Sequence, residues 1–349
     1  MSRNKKRKIK PSFLAFIMIL LFIVLIILIF SRCKTKNLSK NKTPSSEYQS
    51  TKQKSISAEY KPDLIKNYNA TDKTQKLKVD SKYGVIVNLD TREILADKKS
   101  SERIFPASLT KIMTLIVAAE NIKDYSDTYK FSSELLDPLF ADEASCAGFL
   151  AGEKVTIDDL MYGCILPSGA DGALGLAEYV AGSEKNFVKL MNKKVNELGL
   201  KDTHFMNVSG LHDKFHYSTA RELAKITEYA MKNEKCKEVL STYTYKTSKT
   251  DEHPDGIELY STMFSRMYGD EAVNVKIIAG KTGYTDQSGN CLASYAENSD
   301  GERFILITTS ANGSYAPIYD AINVYAKYAG NGKTDIRQEI VETPAEYYY

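Results

Sequence analysis

Three stretches late in the chain, VNVKIIAGKTG (residues 273–283), NCLASYAEN (290–298) and ERFILITTS (302–310), indicate the core of a β-sheet. Each is rich in apolar residues and bounded by turn residues, a pattern that predicts strands. Earlier, YGVIVNLDTREILA (83–96) predicts a strand, a tight turn at Asp90–Arg92 and a returning strand. Early and late strands that enclose a helical middle predict a mixed α/β (α+β) fold, with an antiparallel sheet flanked by helices and an all-helical lobe.

The middle of the chain and its last apolar segment carry helical patterns. Helices are predicted at 108–121, 156–181, 183–198, 219–233 and 316–329. The first has apolar residues on almost every face and should be buried all round. Thr219 and Glu222 have the spacing of a capping box and predict where the fourth helix begins.

The N-terminus is the strongly basic part of the chain. Residues 1–10 carry six basic residues and no acidic one, so the remainder of this chain of net charge +3 sums to −3. The positive charge is therefore local, which argues against a nucleic-acid partner. An uncharged run at 11–31 follows and is long enough to cross a hydrocarbon core of ~30 Å. It predicts an uncleaved signal anchor, with a cleaved signal peptide as the alternative.

The basic flank places the N-terminus in the cytoplasm and the rest of the chain outside the membrane. A polar segment without apolar periodicity follows the anchor and predicts a flexible linker. The predicted organisation is a cytoplasmic basic tail at 1–10, a transmembrane signal anchor at 11–31, a flexible linker at 32–77, a folded domain at 78–330 and a C-terminal tail at 331–349.

The five cysteines do not define a disulfide framework. Their number is odd and they contain no C-x-x-C pair: Cys33, Cys146, Cys164, Cys236 and Cys291. One pair can form in an exported protein, Cys146 with Cys164 for instance, but spacing does not choose it.

The segment FPASLTKIMT (105–114) places a serine and a lysine three residues apart at the start of an apolar helix. Residues i and i+3 share a helical face, so the side chains of Ser108 and Lys111 can reach one space. A desolvated lysine has a lowered pKa and can act as a base toward a neighbouring hydroxyl. Taken alone, the pattern is better explained by a capping serine and a snorkelling lysine.

Two further motifs support the chemical interpretation. Lys281-Thr282-Gly283 follows a predicted strand, where the small Gly283 lets a substrate backbone approach and Lys281 supplies positive charge. Between the two regions, the turn at 167–171 offers a second serine, Ser168, for proton transfer. Serine–lysine, serine loop and Lys-Thr-Gly, in this order, form the set known from β-lactamases and penicillin-binding proteins.

With these motifs, the sequence resembles the low-molecular-weight penicillin-binding proteins, the serine D-alanyl-D-alanine carboxypeptidases. The similarity lies in FPASLTKIMT (105–114), NELGLKDTHFMNVSGLHD (196–213), HYSTARELAKI (216–226) and AGKTGYTDQSGNCL (279–292), and runs from about residue 80 to 330. It implies the β-lactamase/DD-peptidase-like fold. It also implies removal of the terminal D-alanine from peptidoglycan stem peptides, with β-lactams as covalent inhibitors and no metal or other cofactor.

Carried over by position, the resemblance makes Ser108 the acylated nucleophile, Lys111 its general base and Ser168 the carrier of a proton to the leaving amine. It makes Lys281, Thr282, Gly283 and Tyr284 the substrate-binding strand. Thr282 would bind the carboxylate, and the backbone N–H groups of Ser108 and Tyr284 would form the oxyanion hole. The implied location is the cell membrane, with the catalytic domain on the cell-wall side.

Two departures from the family pattern affect these expectations. The second motif is normally Ser-x-Asn, but here Ala170 stands at its third position, so Asp171 or a water would have to replace the amide. The C-terminal β-rich domain and amphipathic anchor of many relatives are also not expected here. A catalytically weak protein that binds peptidoglycan or senses β-lactams is therefore an alternative to the enzyme.

Two other enzyme classes remain as less favoured alternatives. A β-lactamase needs a glutamate that activates water, for which the candidates are Glu178, Glu184 and Glu197. A zinc peptidase is suggested by His212 and His216, which have the i, i+4 spacing of a zinc pair but are predicted to lie in a loop.

Overall fold

Early and late segments of the chain meet in one eight-stranded sheet, as the sequence predicts. The computed structural model describes residues 65–141 and 144–335. Its strands are β1 Asn69–Lys76, β2 Tyr83–Asn88, β3 Glu93–Lys98, β4 Arg103–Ile104, β5 Thr128–Lys130, β6 Lys154–Thr156, β7 Ser218–Thr219, β8 Thr244–Lys246, β9 Glu258–Tyr260, β10 Glu271–Ala272, β11 Val275–Thr285, β12 Gly289–Asn298, β13 Arg303–Ala311 and β14 Thr334–Asp335. The large sheet has the order β1-β3-β2-β13-β12-β11-β10-β14, and the other strands form three two-stranded pairs.

The centre of the sheet is antiparallel from β3 through β2, β13 and β12 to β11. Strand β1 is the exception, because it lies parallel to β3 at the edge. Strand β10 contacts β11 only where Ala272 pairs with Val275. Within the described residues, the outer edge of β11 beyond that point therefore has no strand partner, and this edge carries Lys281-Thr282-Gly283.

Helices cover both faces of the sheet. They are α1 Thr110–Asn121, α2 Ser133–Ala141, α3 Ile157–Ile165, α4 Ala170–Ala181, α5 Glu184–Glu197, α6 Ala220–Met231, α7 Glu234–Leu240, α8 Thr262–Met267 and α9 Ala316–Tyr328. Side chains alternate along a strand, so Val85 and Val87 of β2 enter the larger core while Ile86 enters the core beneath α9. Helix α1 is buried on almost all sides, as its apolar sequence predicts.

The structure corrects the predicted helix boundaries in two places. The segment predicted as one helix at 156–181 forms α3 and α4, which are separated by the turn around Pro167. At the start of α6, the Thr219 side chain accepts from the Glu222 N–H at 3.1 Å. The Glu222 carboxylate does not close the predicted capping box, because it instead accepts from the Lys201 and Asp202 N–H groups.

The folded domain begins earlier than predicted. Strand β1 lies inside the predicted linker, and Ile65, Tyr68 and Leu77 are buried, so the linker prediction is wrong for residues 65–77. The isolated apolar residues there give no periodic signal, and their burial depends on distant partners. The Tyr68 hydroxyl, for example, donates to Glu228 at 2.6 Å. At the other end, β14 extends the sheet into the predicted tail.

The predicted basic tail at 1–10, the signal anchor at 11–31 and the linker up to residue 64 lie outside the described residues. No helix within the described part of the chain combines the length and apolar character needed to span a membrane. The cysteines of the described part are free thiols, so the suggested pair of Cys146 and Cys164 is not formed.

Candidate functional site

A 3-10 turn at Ala107–Leu109 presents Ser108 at the start of α1. Lys111 lies in the first turn of α1, and its Nζ donates to Ser108 Oγ at 3.1 Å and to the Ser209 carbonyl at 2.8 Å. Ala107 has a φ of +46°, a left-handed conformation that is costly for a residue with a Cβ. The turn is therefore held in an unusual conformation that brings the serine hydroxyl to the lysine.

Burial sets the protonation of Lys111. The side chain is only 2% exposed, and this burial lowers the pKa of Lys111 to about 8, although the fields of Cys164 and Asp171 oppose the shift. Loss of water penalises the ammonium form more than the neutral amine. A minor fraction of Lys111, far larger than for an exposed lysine, is therefore neutral near physiological pH and can accept the proton of Ser108.

Strand β11 supplies the opposite wall of the site. Lys281 is 1% exposed, and its Nζ donates to the Thr282 carbonyl at 2.9 Å. Burial first, and then the nearby charge of Lys111, lower the pKa of Lys281. The Thr282 hydroxyl is hydrogen-bonded to the hydroxyl of Thr262 in α8 at 2.6 Å. Lys281 thus supports the strand from inside, while Thr282 and Gly283 face the cleft.

Gly283 is needed for a reason that the sequence did not indicate. A Cβ at this position would lie 2.9 Å from the Ser108 nitrogen, so the glycine lets the strand edge pack directly against the turn that carries Ser108. Tyr284 is exposed, and its hydroxyl donates to Asp286 at 2.8 Å.

The loop between α3 and α4 contributes Ser168. The residue is buried and has a φ of +68°, the second left-handed non-glycine residue at the site. Together with Ser108, Lys111, Thr282, Gly283 and Tyr284, it lines a cleft of about 720 Å³. The structure therefore brings together the predicted motifs, with Lys281 directly behind the wall.

Asp171 does not replace the amide missing at Ala170. Its buried carboxylate accepts from the N–H groups of Ala147 at 2.8 Å, Gly148 at 3.0 Å and Phe149 at 3.3 Å. Burial raises the pKa of Asp171, while these backbone hydrogen bonds oppose the shift. The carboxylate is committed to holding residues 147–149, so the expectation that Asp171 takes the place of the amide is wrong.

Sequence reasoning missed several residues that line the cleft, among them Ser145 and Arg266. Arg266 lies in the six-residue helix α8, and its charge further lowers the pKa of Lys281. Ser145 lies before α3 and reaches the cleft only because Asp171 anchors the residues that follow it. Neither residue is part of a local motif, and their roles depend on packing between distant segments.

The loop Asn207–Gly210 packs against the turn that carries Ser108. The Thr114 hydroxyl donates to the Val208 carbonyl at 2.7 Å, next to the Ser209 carbonyl that binds Lys111. Gly210 has a φ of +88°, and a Cβ there would lie 1.9 Å from the Ala107 carbonyl oxygen. This contact leaves no room for a side chain, so the motif NVSG packs directly against Ala107.

The geometry does not favour the two alternative enzyme classes. His216 accepts from the Met206 N–H at Nδ1 and bonds the Thr110 hydroxyl through Nε2 at 2.8 Å, which occupies both ring nitrogens. Burial lowers the pKa of His216 to about 4. No group of three or more potential His, Cys, Asp or Glu metal ligands occurs in residues 65–141 and 144–335.

The glutamates considered for a β-lactamase are not among the residues that line the cleft. Glu184 accepts from the Val208 N–H at 3.0 Å, and Glu197 pairs with Lys194 at 2.7 Å. Glu178 is also absent from the residues that line the cleft. Among the described lining residues, Asp286 is the only carboxylate.

A serine–lysine turn that faces a Lys-Thr-Gly strand edge within a mixed α/β fold is the arrangement of the penicillin-recognising serine peptidases. The chain belongs to the D-alanyl-D-alanine carboxypeptidase family, whose model matches residues 69–313. The family resemblance inferred from the sequence motifs is thereby confirmed.

Individual relatives agree with this assignment. The chain is 34% identical over 236 residues to the D-alanyl-D-alanine carboxypeptidase DacF of Bacillus subtilis (strain 168), covering 64% of this chain and 56% of the relative. It is 32% identical over 228 residues to DacA of Escherichia coli (strain K12), covering 63% and 54%. The chain thus spans little more than half the length of these relatives.

Among solved structures, the Streptomyces K15 DD-transpeptidase is similar, with a TM-score of 0.64 and 30% sequence identity. The match covers 71% of this chain and 96% of that structure. The similarity confirms the predicted DD-peptidase-like arrangement of sheet and helices.

Replacing Gly210 by alanine should both destabilise the fold and slow the reaction of Ser108. The left-handed backbone alone should cost about 1 kcal/mol, and the clash with Ala107 about 1–3 kcal/mol more. Displacement of the turn that carries Ser108 should slow acylation by penicillin on the order of 10²-fold. Denaturant unfolding and the acylation rate measure the two effects.

Gly199→Ala is the matched control for this variant, because Gly199 has a φ of +66° but no atom within 4 Å of the position that a Cβ would occupy. Gly199→Ala should lose only the stability that the left-handed backbone costs, and penicillin should acylate it at the normal rate. Equal losses of stability in the two variants would show that the contact between Gly210 and Ala107 does not matter.

Proposed function

We propose that this protein is a serine-type D-alanyl-D-alanine carboxypeptidase. It removes the terminal D-alanine from peptidoglycan stem peptides through an acyl-enzyme on Ser108. One observation carries the proposal: Lys111 Nζ lies 3.1 Å from Ser108 Oγ, in a cleft bounded by the unpaired edge of β11. Nucleophile, base and a strand edge for a peptide backbone therefore share one space.

The first step is acylation. Ser108 Oγ attacks the carbonyl carbon between the two terminal D-alanines while neutral Lys111 takes the hydroxyl proton. The carbonyl oxygen becomes negatively charged and accepts hydrogen bonds from the backbone N–H groups of Ser108 and Tyr284. Gly283 contributes by letting these two N–H groups come close together.

The second step expels the terminal D-alanine. Ser168 donates a proton to the leaving nitrogen as the C–N bond breaks. The Lys111 ammonium, which took the proton of Ser108, then replaces the proton that Ser168 has lost. The substrate carboxylate binds the Thr282 hydroxyl and the guanidinium of Arg266, since both line the cleft. Lys281 acts through its field, because its Nζ is buried and donates to the Thr282 carbonyl. Water then hydrolyses the ester and restores Ser108.

β-Lactams are proposed as covalent inhibitors, because their strained amide offers the same carbonyl to Ser108. The proposed chemistry uses only side-chain and backbone groups and requires no metal or organic cofactor. Peptidoglycan stem peptides are the proposed partner, and no nucleic acid is involved.

The proposed location is the cell membrane, with the catalytic domain on the cell-wall side. This rests on the sequence of residues 1–64: the basic tail at 1–10, the apolar run at 11–31 and the polar segment that follows. A single-pass anchor and a linker of this kind would keep the domain close to newly made wall.

One observation favours a second candidate, a protein that binds peptidoglycan or senses β-lactams with little turnover. Ala170 presents a methyl group where an amide would help to hold the substrate. Such a protein would still form the Ser108 adduct but would release little D-alanine.

The test measures D-alanine release by the full-length protein from diacetyl-L-Lys-D-Ala-D-Ala, with and without penicillin and EDTA. Mass spectrometry of the penicillin-treated protein is run in parallel. Release that penicillin blocks and EDTA does not, together with an adduct on Ser108, is the expected result. An adduct without release would favour the sensing protein, and release blocked by EDTA would overturn the serine mechanism.

A further inference from the structure

The wall of the cleft formed by the helical lobe has few polar side chains. A peptide bound along a strand edge hydrogen-bonds that edge with part of its backbone and turns the remaining groups away from it. The described residues that line this wall are Ala144, Ser145, Pro167, Ser168 and Ala170. Since Ser168 already has a proton-transfer role, Ser145 offers the other polar side chain on this wall.

The Ser145 hydroxyl is available to a ligand. The residue is exposed and lines the cleft. Within residues 65–141 and 144–335 its hydroxyl has no hydrogen-bond partner, so binding a substrate would break no internal contact. The groups that a bound peptide turns away from the strand include carbonyl oxygens, and a hydroxyl can donate to such an oxygen.

Backbone contacts hold Ser145 beside Ala170. The Ala170 N–H donates to the Ser145 carbonyl at 2.7 Å. The adjacent Asp171 carboxylate accepts from the N–H groups of Ala147 at 2.8 Å and Gly148 at 3.0 Å. Two neighbouring residues of α4 therefore fix the segment that carries Ser145, and Asp171 is a positioning residue for it.

We propose that the Ser145 hydroxyl donates a hydrogen bond to the carbonyl oxygen of the amide on the acyl side of the bond that Ser108 attacks. This hydrogen bond holds the substrate amide, which the methyl group of Ala170 cannot bind. Ser145 is thus a specificity-determining residue for substrates that carry this amide. The inference deepens the proposed function and rests on it.

Two β-lactams that differ in this amide test the inference on the full-length protein. Benzylpenicillin carries an acylamino side chain, whereas 6-aminopenicillanic acid has a free amine in its place. Loss of one neutral hydrogen bond should slow acylation by benzylpenicillin roughly 3- to 10-fold in Ser145→Ala. Acylation by 6-aminopenicillanic acid should not change. Ser299→Ala, an exposed serine just after β12, is the matched control and should alter neither rate.

A second variant tests whether position 170 can take over the role. Ala170→Asn in the Ser145→Ala background adds an amide beside the lost hydroxyl and should restore acylation by benzylpenicillin. Equal slowing of both β-lactams in Ser145→Ala, or slowing of neither, would overturn the proposal. This comparison of the two acylation rates needs only the single variant, so it decides the question even if the double variant does not fold. Penicillin acylation without D-alanine release by the unaltered protein would instead count against the proposed function.

Discussion

Ser108→Ala should eliminate both D-alanine release and the covalent penicillin adduct. The rate of release should fall on the order of 10⁴-fold or more, because nucleophile and base act as a unit. The Ser108 hydroxyl is hydrogen-bonded to Lys111, so its removal takes away one contact and should leave the fold intact. Release kinetics, mass spectrometry of the adduct and thermal unfolding measure these three properties.

Ser314→Ala is a useful companion to this variant, because Ser314 is an exposed serine that lines the same cleft. It should keep the adduct that Ser108→Ala loses. Persistence of the adduct in Ser108→Ala, for example on Ser168, would overturn the assignment of the nucleophile.

The second large effect concerns the protonation of Lys111. Its pKa is lowered to about 8 by burial, and the neutral amine is the form that accepts a proton. The value of kcat/KM should therefore rise about tenfold per pH unit below pH 8 and level off above it. Lys111→Arg, which stays charged, should lose about 10³- to 10⁴-fold and show no such rise.

A pH profile of acylation by penicillin, measured from pH 6 to pH 10 for both proteins, checks this expectation. A decline of the rate from pH 7 to pH 9 in the unaltered protein would mean that a protonated group, and not neutral Lys111, limits the reaction. Normal activity of Lys111→Arg would exclude Lys111 as the base.

The same lysine carries a stability cost. A shift of the Lys111 pKa from 10.5 to about 8 corresponds to about 3 kcal/mol of destabilisation when the buried amine is charged. Because the folded-state pKa lies below the unfolded one, this cost is fully present below pH 8. It decreases as the pH rises from about 8 to 10.5. The position is costly for folding, and the proposed role of Lys111 as the base explains a lysine within an otherwise apolar helix.

Ser145 and Lys281 show that the contacts a residue makes in the fold can differ from those that a sequence motif suggests. Lys281 belongs to the Lys-Thr-Gly motif, yet its Nζ contacts the Thr282 carbonyl and supports the wall from behind. Ser145 belongs to no motif, yet it lines the cleft because Asp171 and Ala170 hold its segment. A motif therefore predicts which residues lie near the site more reliably than it predicts what each one contacts.

The sequence by itself determined the central strands β2, β3, β11, β12 and β13 and the helices α1, α5, α6 and α9, because alternation and helical periodicity are local properties of the chain. It missed β1 and the break between α3 and α4. It also determined the pairing of Ser108 with Lys111, since a spacing of three residues in a helical turn leaves little freedom. The tertiary structure alone decided the part of the site that depends on contacts between distant segments. Three features belong to this part: the burial that lowers the pKa of Lys111, the carboxylate of Asp171 that anchors residues 147–149, and the placement of Arg266 and Ser145 in the lining of the cleft. Such contacts form between segments far apart in the chain, where no local pattern records which side chains will meet.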